Sequence, residues 1–575
     1  MSPIRITFAR LLGGTLLLAS ITPAWAAERA ANALKPGANA IASAHHLATD
    51  AGFEVLAEGG NAFDAAVAVS AALAVVEPSS SGLGGGGFWL LHRASDGRDL
   101  FIDGREVAPA KVDAKAYLDA EGNLDRDKSV NGALAAGIPG HPAALVHLAE
   151  QYGRLPLKRS LAPAIRLADQ GFALESRLQS MIAIRRDVML RYPASASVFL
   201  RNGNVPELGT IIKQPDLAKT FKRLAKRGAK GFYQGKVAEM LVAGVQAAGG
   251  NWQLSDLADY RVKEREPLRF QYRDYQIVSA PPPSSGGVVM ATVFNILEGY
   301  DFGNLSSADQ THLLVESMRR AYRDRSYVLG DPDFVDMPLQ RLTSKDYAAG
   351  LRAAIRLDKA TPSSSLPEGA TIHSGTDTTH FSVIDADGNL VAATMSVNLP
   401  MGSAFIPSGT GVILNNEMDD FALKANAPNA YGLVGTDANA PAPGKRMLST
   451  MSPTFAFGPT RTAVIGTPGG SRIATMVLLG LLEFMNGKSA EAIVSRPRIH
   501  HQYLPDVIST EANALSREDT KALQARGHTI NDSERPWGNM HVVIWDRTQN
   551  QLSGAADPRS PVGSARVEPA LLGKH

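Results

Sequence analysis

The apolar positions of this chain switch repeatedly between helical and extended spacing. Ala48 to Glu58 turns Phe53 and Leu56 to one side and is stopped by Gly59-Gly60. Asn61 then caps a second predicted helix, Ala62 to Val75, built almost wholly from alanine and valine. Side chains that small suit close packing of a helix on a sheet. Phe88–Leu91 and Leu100–Asp103 flank Asp96-Gly97 and predict a hairpin. Residues 141–275 read as mostly helical. A long helix is expected from Ser307 to about Tyr327, opened by a Ser307/Gln310 capping box, with Leu314, Met318, Ala321 and Tyr322 on one face.

The last third is richer in strands. Thr379–Asp385 and Leu390–Asn398 form a predicted hairpin around Asp387-Gly388, and further strands follow at Thr454–Phe457, Thr462–Gly466 and His541–Trp545. A helix starts at Ser471. Before the first of these strands lies residues 358–377, with Pro362, three serines, Pro367, Gly369 and Gly375, which reads as an exposed, flexible connector. Strands with flanking helices predict an α/β sandwich. No repeat recurs at a fixed period.

Composition removes several functions. The 575 residues carry 58 basic and 56 acidic side chains, a net charge of +2, without a long run of one sign. A nucleic-acid or anionic-membrane surface has no electrostatic footprint here. There is no cysteine, so thiol catalysis, disulfides and cysteine-ligated zinc are excluded. Residues 1–26 read as a secretory signal: Arg5 and Arg10, an apolar stretch from Leu11 to Ile21, and Ala24-Trp25-Ala26 as the cleavage site. That stretch is roughly half the ~20 apolar residues that span a bilayer. The mature chain is therefore expected in the periplasm or secreted, without a membrane span.

The chemistry gathers late in the chain. Thr378, in Asp377-Thr378-Thr379-His380, stands where the connector meets a strand. A mid-chain threonine is a poor nucleophile, because nothing nearby takes its proton. If the bond before it is cut, it gains an α-amine of pKa about 7.7–8.0, near enough to neutrality to act as its own base. Gly466 to Arg472 precedes a helix over Ile473–Met485, and glycines there expose N–H groups suited to an oxyanion. Asn415 to Phe421 sets carboxylates beside an apolar strand, Val412–Leu414, as an ammonium reader. Ser449-Thr450 adds paired hydroxyls, and Arg105 offers a bidentate grip on a carboxylate. Together they describe a pocket for an amino-acid zwitterion. The Gly84–Gly87 run lacks the lysine and hydroxyl of a phosphate loop and reads as a tight bend. His45-His46 and His500-His501 lack the spacing of a helical zinc site, so no metal is expected.

These residues resemble the γ-glutamyltranspeptidases (glutathione hydrolases), members of the N-terminal-nucleophile hydrolases. The resemblance runs in order through Gly59-Gly60-Asn61-Ala62, Glu77-Pro78, Gly84 to Gly87, Asp103-Gly104-Arg105-Glu106, Gly137-Ile138-Pro139-Gly140 and Pro281 to Gly287. It continues through Asp377-Thr378-Thr379-His380, Asn415 to Phe421, Met451-Ser452-Pro453-Thr454, Pro468 to Arg472 and Asp557-Pro558-Arg559. It implies a four-layer αββα sandwich and a precursor that cuts itself between Asp377 and Thr378. The products would be a large subunit, 27–377, and a small catalytic subunit, 378–575, held together as a heterodimer because their strands share a sheet. No cofactor is implied.

Carried over by position, the resemblance makes Thr378 the nucleophile, Ser396 its supporting hydroxyl, and Gly469 and Gly470 the oxyanion donors. Arg105, Ser449 and Thr450 would hold the substrate α-carboxylate; Asn398, Glu417 and Asp420 its α-ammonium. Residues 424–446, with Tyr431, resemble a lid over the pocket and favour small substrates. Donors would be glutathione and other γ-glutamyl compounds; acceptors, water or an amino acid or dipeptide. Ser396, Glu417 and Thr450 stand where many bacterial members carry Thr, Gln and Ser, and each keeps the needed polar group. Two rival readings remain. A glutaryl (cephalosporin) acylase shares the fold but has no use for the ammonium reader. A catalytically dead periplasmic amino-acid binding protein would stay in one piece.

Overall fold

A computed structural model describes residues 34–366, 378–425, 427–533 and 535–570. Residues Lys35 onward form one compact unit. The segment 1–26, the scission-site residue Asp377 and the connector residues 367–377 lie outside the described residues.

Two antiparallel sheets make the centre. One has seven strands, in the spatial order Ser564–Pro569, Ala38–Ser43, Thr379–Ile384, Leu390–Ser396, Gly86–Arg93, Arg98–Gly104 and Lys263–Arg265. The other has six: Gln551–Ala556, His541–Asp546, Arg461–Gly466, Thr454–Phe457, Tyr275–Ser279 and Leu268–Tyr272. The hairpin Thr379–Ile384/Leu390–Ser396 shows how alternation builds layers. Phe381, Val383, Val391 and Ala393 enter a core shared with the alanine-rich helix Ala62–Val76. Ile384, Leu390 and Ala392 turn the other way, into a core shared with the six-stranded sheet and the helices Gly286–Leu297 and Ile473–Met485. A strand buried on both faces sends alternate residues to opposite cores. The result is the four-layer αββα sandwich. Strands from before and after residue 377 interleave in the seven-stranded sheet, so a cut there leaves the pieces hydrogen-bonded.

Most predicted elements form close to their expected bounds. Asn61 closes a full capping box with Asp64 and also donates its Nδ2–H to the Tyr152 carbonyl at 2.8 Å. Four details differ. The cap of the long helix Ser307–Val328 is Ser306, whose hydroxyl accepts from the Asp309 N–H, so the box is not Ser307/Gln310. The helical stretch ends before Lys263, where strands begin. Val412–Leu414 is extended but unladdered, apart from a parallel bridge between Leu414 and Gly84. The start of the connector is pinned: Ser363 is buried, donates its N–H to Asp506 at 2.7 Å, and accepts from Arg319 at 2.6 Å. Gly84 to Gly87 form the tight bend expected; a Cβ on Gly84 would lie 2.0 Å from the Ile413 carbonyl oxygen. Among the described residues, no helix is long and apolar enough to cross a membrane.

Candidate active site

Thr378 sits immediately before a central strand, 4% exposed. Its Oγ1 accepts the backbone N–H of Gly469 at 3.1 Å. Gly469 takes φ 142 and Gly470 φ 55, backbone values that glycine adopts without strain. The strand register pairs Met395 with Thr379, so Ser396 stands opposite Thr378 on the neighbouring strand. Ser396 Oγ accepts the Asn398 N–H at 2.7 Å. His380 is not available as a base: its Nδ1 and Nε2 meet Thr394 Oγ1 at 2.9 Å and Ser382 Oγ at 3.1 Å, and burial holds it well below the ordinary imidazole range.

A cavity of about 300 Å3 opens beside Thr378. Ser396, Asn398, Glu417, Asp420, Arg105, Ser449, Thr450, Tyr431 and Gly470 all line it, so the structure gathers every described residue expected in the site, with Gly469 at its edge. At its floor, Arg105 reaches Glu417 with Nη1 at 2.7 Å and Asp420 with Nη2 at 2.6 Å. Asn415 positions this floor. Its Oδ1 accepts from the N–H groups of Gly137 and Glu417, and its Nδ2 donates to the carbonyls of Gly84 and Gly137. The glycine loops noted in the sequence thus hold the turn that aims Glu417 and Asp420. The Oδ1 of Asn398 is buried without a partner, an acceptor ready for an ammonium. Tyr431 donates its hydroxyl to the Asn398 carbonyl at 2.6 Å and covers the cavity.

Burial sets the charges of this floor. It pushes Glu417 and Asp420 each up to about 7, against the pull of Arg105, and Glu106 likewise up to about 7. Burial also works against the Arg105 charge, but Glu417, Glu106 and Asp420 outweigh it and keep the guanidinium above its ordinary range. The two hydroxyls differ. Ser449 Oγ accepts the Met451 N–H at 3.1 Å and can still give its own proton. Thr450 Oγ1 already donates to the Gly470 carbonyl at 2.8 Å, so it steadies the glycine turn. Arg325, Leu433, Leu448 and Ile473 also line the cavity and were missed in the sequence.

The histidine pairs have other work. His45, His46 and Glu175 bring ligand atoms within 4.8 Å of one another. However, His45 Nδ1 accepts the Leu47 N–H at 3.2 Å, capping the helix His46–Ala57. Its proton is then on Nε2, the nitrogen 3.6 Å from Glu175, which donates instead of coordinating. His500 is bonded at both nitrogens, to Thr475 and Gln502.

Comparison with known proteins agrees with this geometry. The family model described as gamma-glutamyltranspeptidase matches residues 48–567. The glutathione hydrolase proenzyme of Pseudomonas sp. (strain A14) is 42% identical, over 97% of this chain and 99% of its own. The glutathione hydrolase proenzyme of Escherichia coli (strain K12) is 39% identical, over 97% of each chain. Among solved structures, a cephalosporin acylase from Bacillus halodurans superposes with a TM-score of 0.82 at 28% identity, covering 93% of this chain and 96% of that one.

Proposed function

Because the chain belongs to the gamma-glutamyltranspeptidase (glutathione hydrolase) family of enzymes, we propose that it is a self-cleaving γ-glutamyl transferase and hydrolase with Thr378 as its nucleophile. The cut before Thr378 gives large and small subunits, 27–377 and 378–575, and creates the α-amine that serves as base. The amine takes the hydroxyl proton as Oγ attacks the γ-glutamyl carbonyl. The Gly469 and Gly470 N–H groups take up the charge on the carbonyl oxygen. Collapse expels the amine, which leaves with the proton, and a threonyl ester remains. Water then releases glutamate, or an amino-acid or dipeptide amine takes the γ-glutamyl group. Glutathione is the expected donor, and no cofactor enters. Residues 1–26 direct the precursor to the periplasm or beyond.

One observation carries this reading: a buried carboxylate pair, Glu417 and Asp420, is held by Arg105 in the same cavity as Thr378 Oγ. Two buried carboxylates facing an enclosed space call for a cation, and the α-ammonium of a γ-glutamyl group supplies it. A glutaryl group does not, which sets the acylase reading below this one despite the structural likeness. Rates on γ-glutamyl-p-nitroanilide and glutaryl-p-nitroanilide decide between them. The expected result is turnover of the first at least about 100-fold faster, the size of a lost charge-assisted contact; faster turnover of the second would establish the acylase.

A further inference from the structure

The helix Ser307–Val328 carries four arginines in its second half, and one of them is unlike the rest. Arg319 pairs with Asp506, Arg320 with Glu316, and Arg323 with Asp324. Arg325 is 3% exposed, lines the cavity beside Thr378, and among the described residues has neither a hydrogen bond nor an ion pair to its guanidinium. Asp420 is near enough to act on its charge, without a bond, and burial lowers it to about 10. Its place in the last helical turn, where the helix dipole is negative, offsets part of the cost. A buried, unpaired guanidinium remains unfavourable until an anion arrives.

The other donors of the pocket are largely spent. Arg105 commits Nη1 to Glu417, Nη2 to Asp420 and Nε to the Met447 carbonyl at 3.3 Å. Thr450 has given its proton to Gly470. We infer that Arg325, with the Ser449 hydroxyl, receives the α-carboxylate of the γ-glutamyl donor, while Arg105 chiefly aligns the two carboxylates that take its ammonium. This rests on the functional reading above and assigns one end of the substrate to a residue outside the family resemblance. The zwitterion then finds a cation and an anion pair that are separate, each poised before binding.

The test compares Arg325→Met, Arg325→Lys and the wild type on γ-glutamyl-p-nitroanilide and on 4-aminobutyryl-p-nitroanilide, which lacks only the α-carboxylate. The expected result is a KM for the γ-glutamyl substrate raised roughly 100-fold in the methionine variant and roughly 10-fold in the lysine variant, the range of a charge-assisted hydrogen bond. With the aminobutyryl substrate the penalty shrinks to about threefold or less. Competitive inhibition by L-glutamate and by 4-aminobutyrate follows the same split. If the methionine variant does not mature, the lysine variant carries the comparison. Equal penalties on both substrates, or none on the γ-glutamyl one, would overturn the assignment of Arg325 while leaving the function intact. A wild type inert toward γ-glutamyl-p-nitroanilide would instead remove the functional reading and this inference with it.

Discussion

The backbone N–H of Gly469 is directed at Thr378 Oγ1 from 3.1 Å, joining the turn before one helix to the start of a central strand. The donor is fixed before substrate arrives. When Thr378 attacks, the developing oxyanion lies one bond from the oxygen this N–H already faces, so little reorganisation is required.

Substituting Gly469 with alanine would disturb that donor in two ways. A non-glycine residue at φ 142 is strained, and the added Cβ would fall 2.4 Å from Met476 Cε. Gly469→Ala is expected to lower kcat roughly 100-fold or more, with a smaller change in KM. Steady-state kinetics on γ-glutamyl-p-nitroanilide provide the check; an unchanged kcat would remove the turn from the chemistry.

The pH dependence follows from the cavity floor. Glu417 and Asp420, raised to about 7 by burial, are largely protonated below that pH and then hold an ammonium poorly. KM for the donor is therefore expected to fall as pH rises through about 7. Because both carboxyls titrate as a coupled pair, Glu417→Gln should leave one ionisation and shift the limb acidward, as Asp420 loses a like-charged neighbour. A KM flat from pH 5 to 9 would contradict this account of the floor.

Arg105 bonds two carboxylates while 1% exposed. Removing it leaves Glu417 and Asp420 buried without their counter-charge. Arg105→Ala is expected to cost on the order of 3–5 kcal/mol of stability, the range for breaking a buried ion pair, together with donor binding. Arg105→Lys keeps the charge but cannot span both partners. It should regain most of the melting temperature and little of the affinity. Thermal unfolding and KM, measured together, separate the two effects.

Ser363, in the connector, is tied through its N–H to Asp506, which Arg319 and His501 also meet. Asp506→Ala frees this anchor before the scission site. Maturation of the precursor should slow by roughly tenfold, the effect of one lost charge-assisted contact on a positioned segment. The fraction cleaved, followed on a denaturing gel after induction, reads it directly. Wild-type kinetics of cleavage would show that the anchor has no part in positioning.

Local signals made much of this legible. Asp387-Gly388 between two apolar runs marked the hairpin that carries Ser396, and Asn61 announced a helix its side chain does cap. The pocket residues were legible through family resemblance, since neither Arg105 nor Ser449 lies near Thr378 in the chain. What stayed hidden was non-local. The Thr450 hydroxyl looked available until the Gly470 carbonyl appeared beside it. Arg325 shares a helix with three other arginines, and spacing could not say which lacked a carboxylate. Two adjacent serines could each have capped that helix, and the backbone chose Ser306. The place of Ala38–Ser43 between strands from the far end of the chain likewise depends on pairing that no local pattern encodes.

The central claim is that Thr378 cuts the chain ahead of itself and then works through the amine it has released. Intact-mass analysis of purified wild type and Thr378→Ala tests this most directly. The account predicts two fragments from the wild type, the smaller beginning at Thr378, and a single inactive chain from the variant. An alanine variant that matures into the same fragments, or a wild type fully active as one uncut chain, would contradict it.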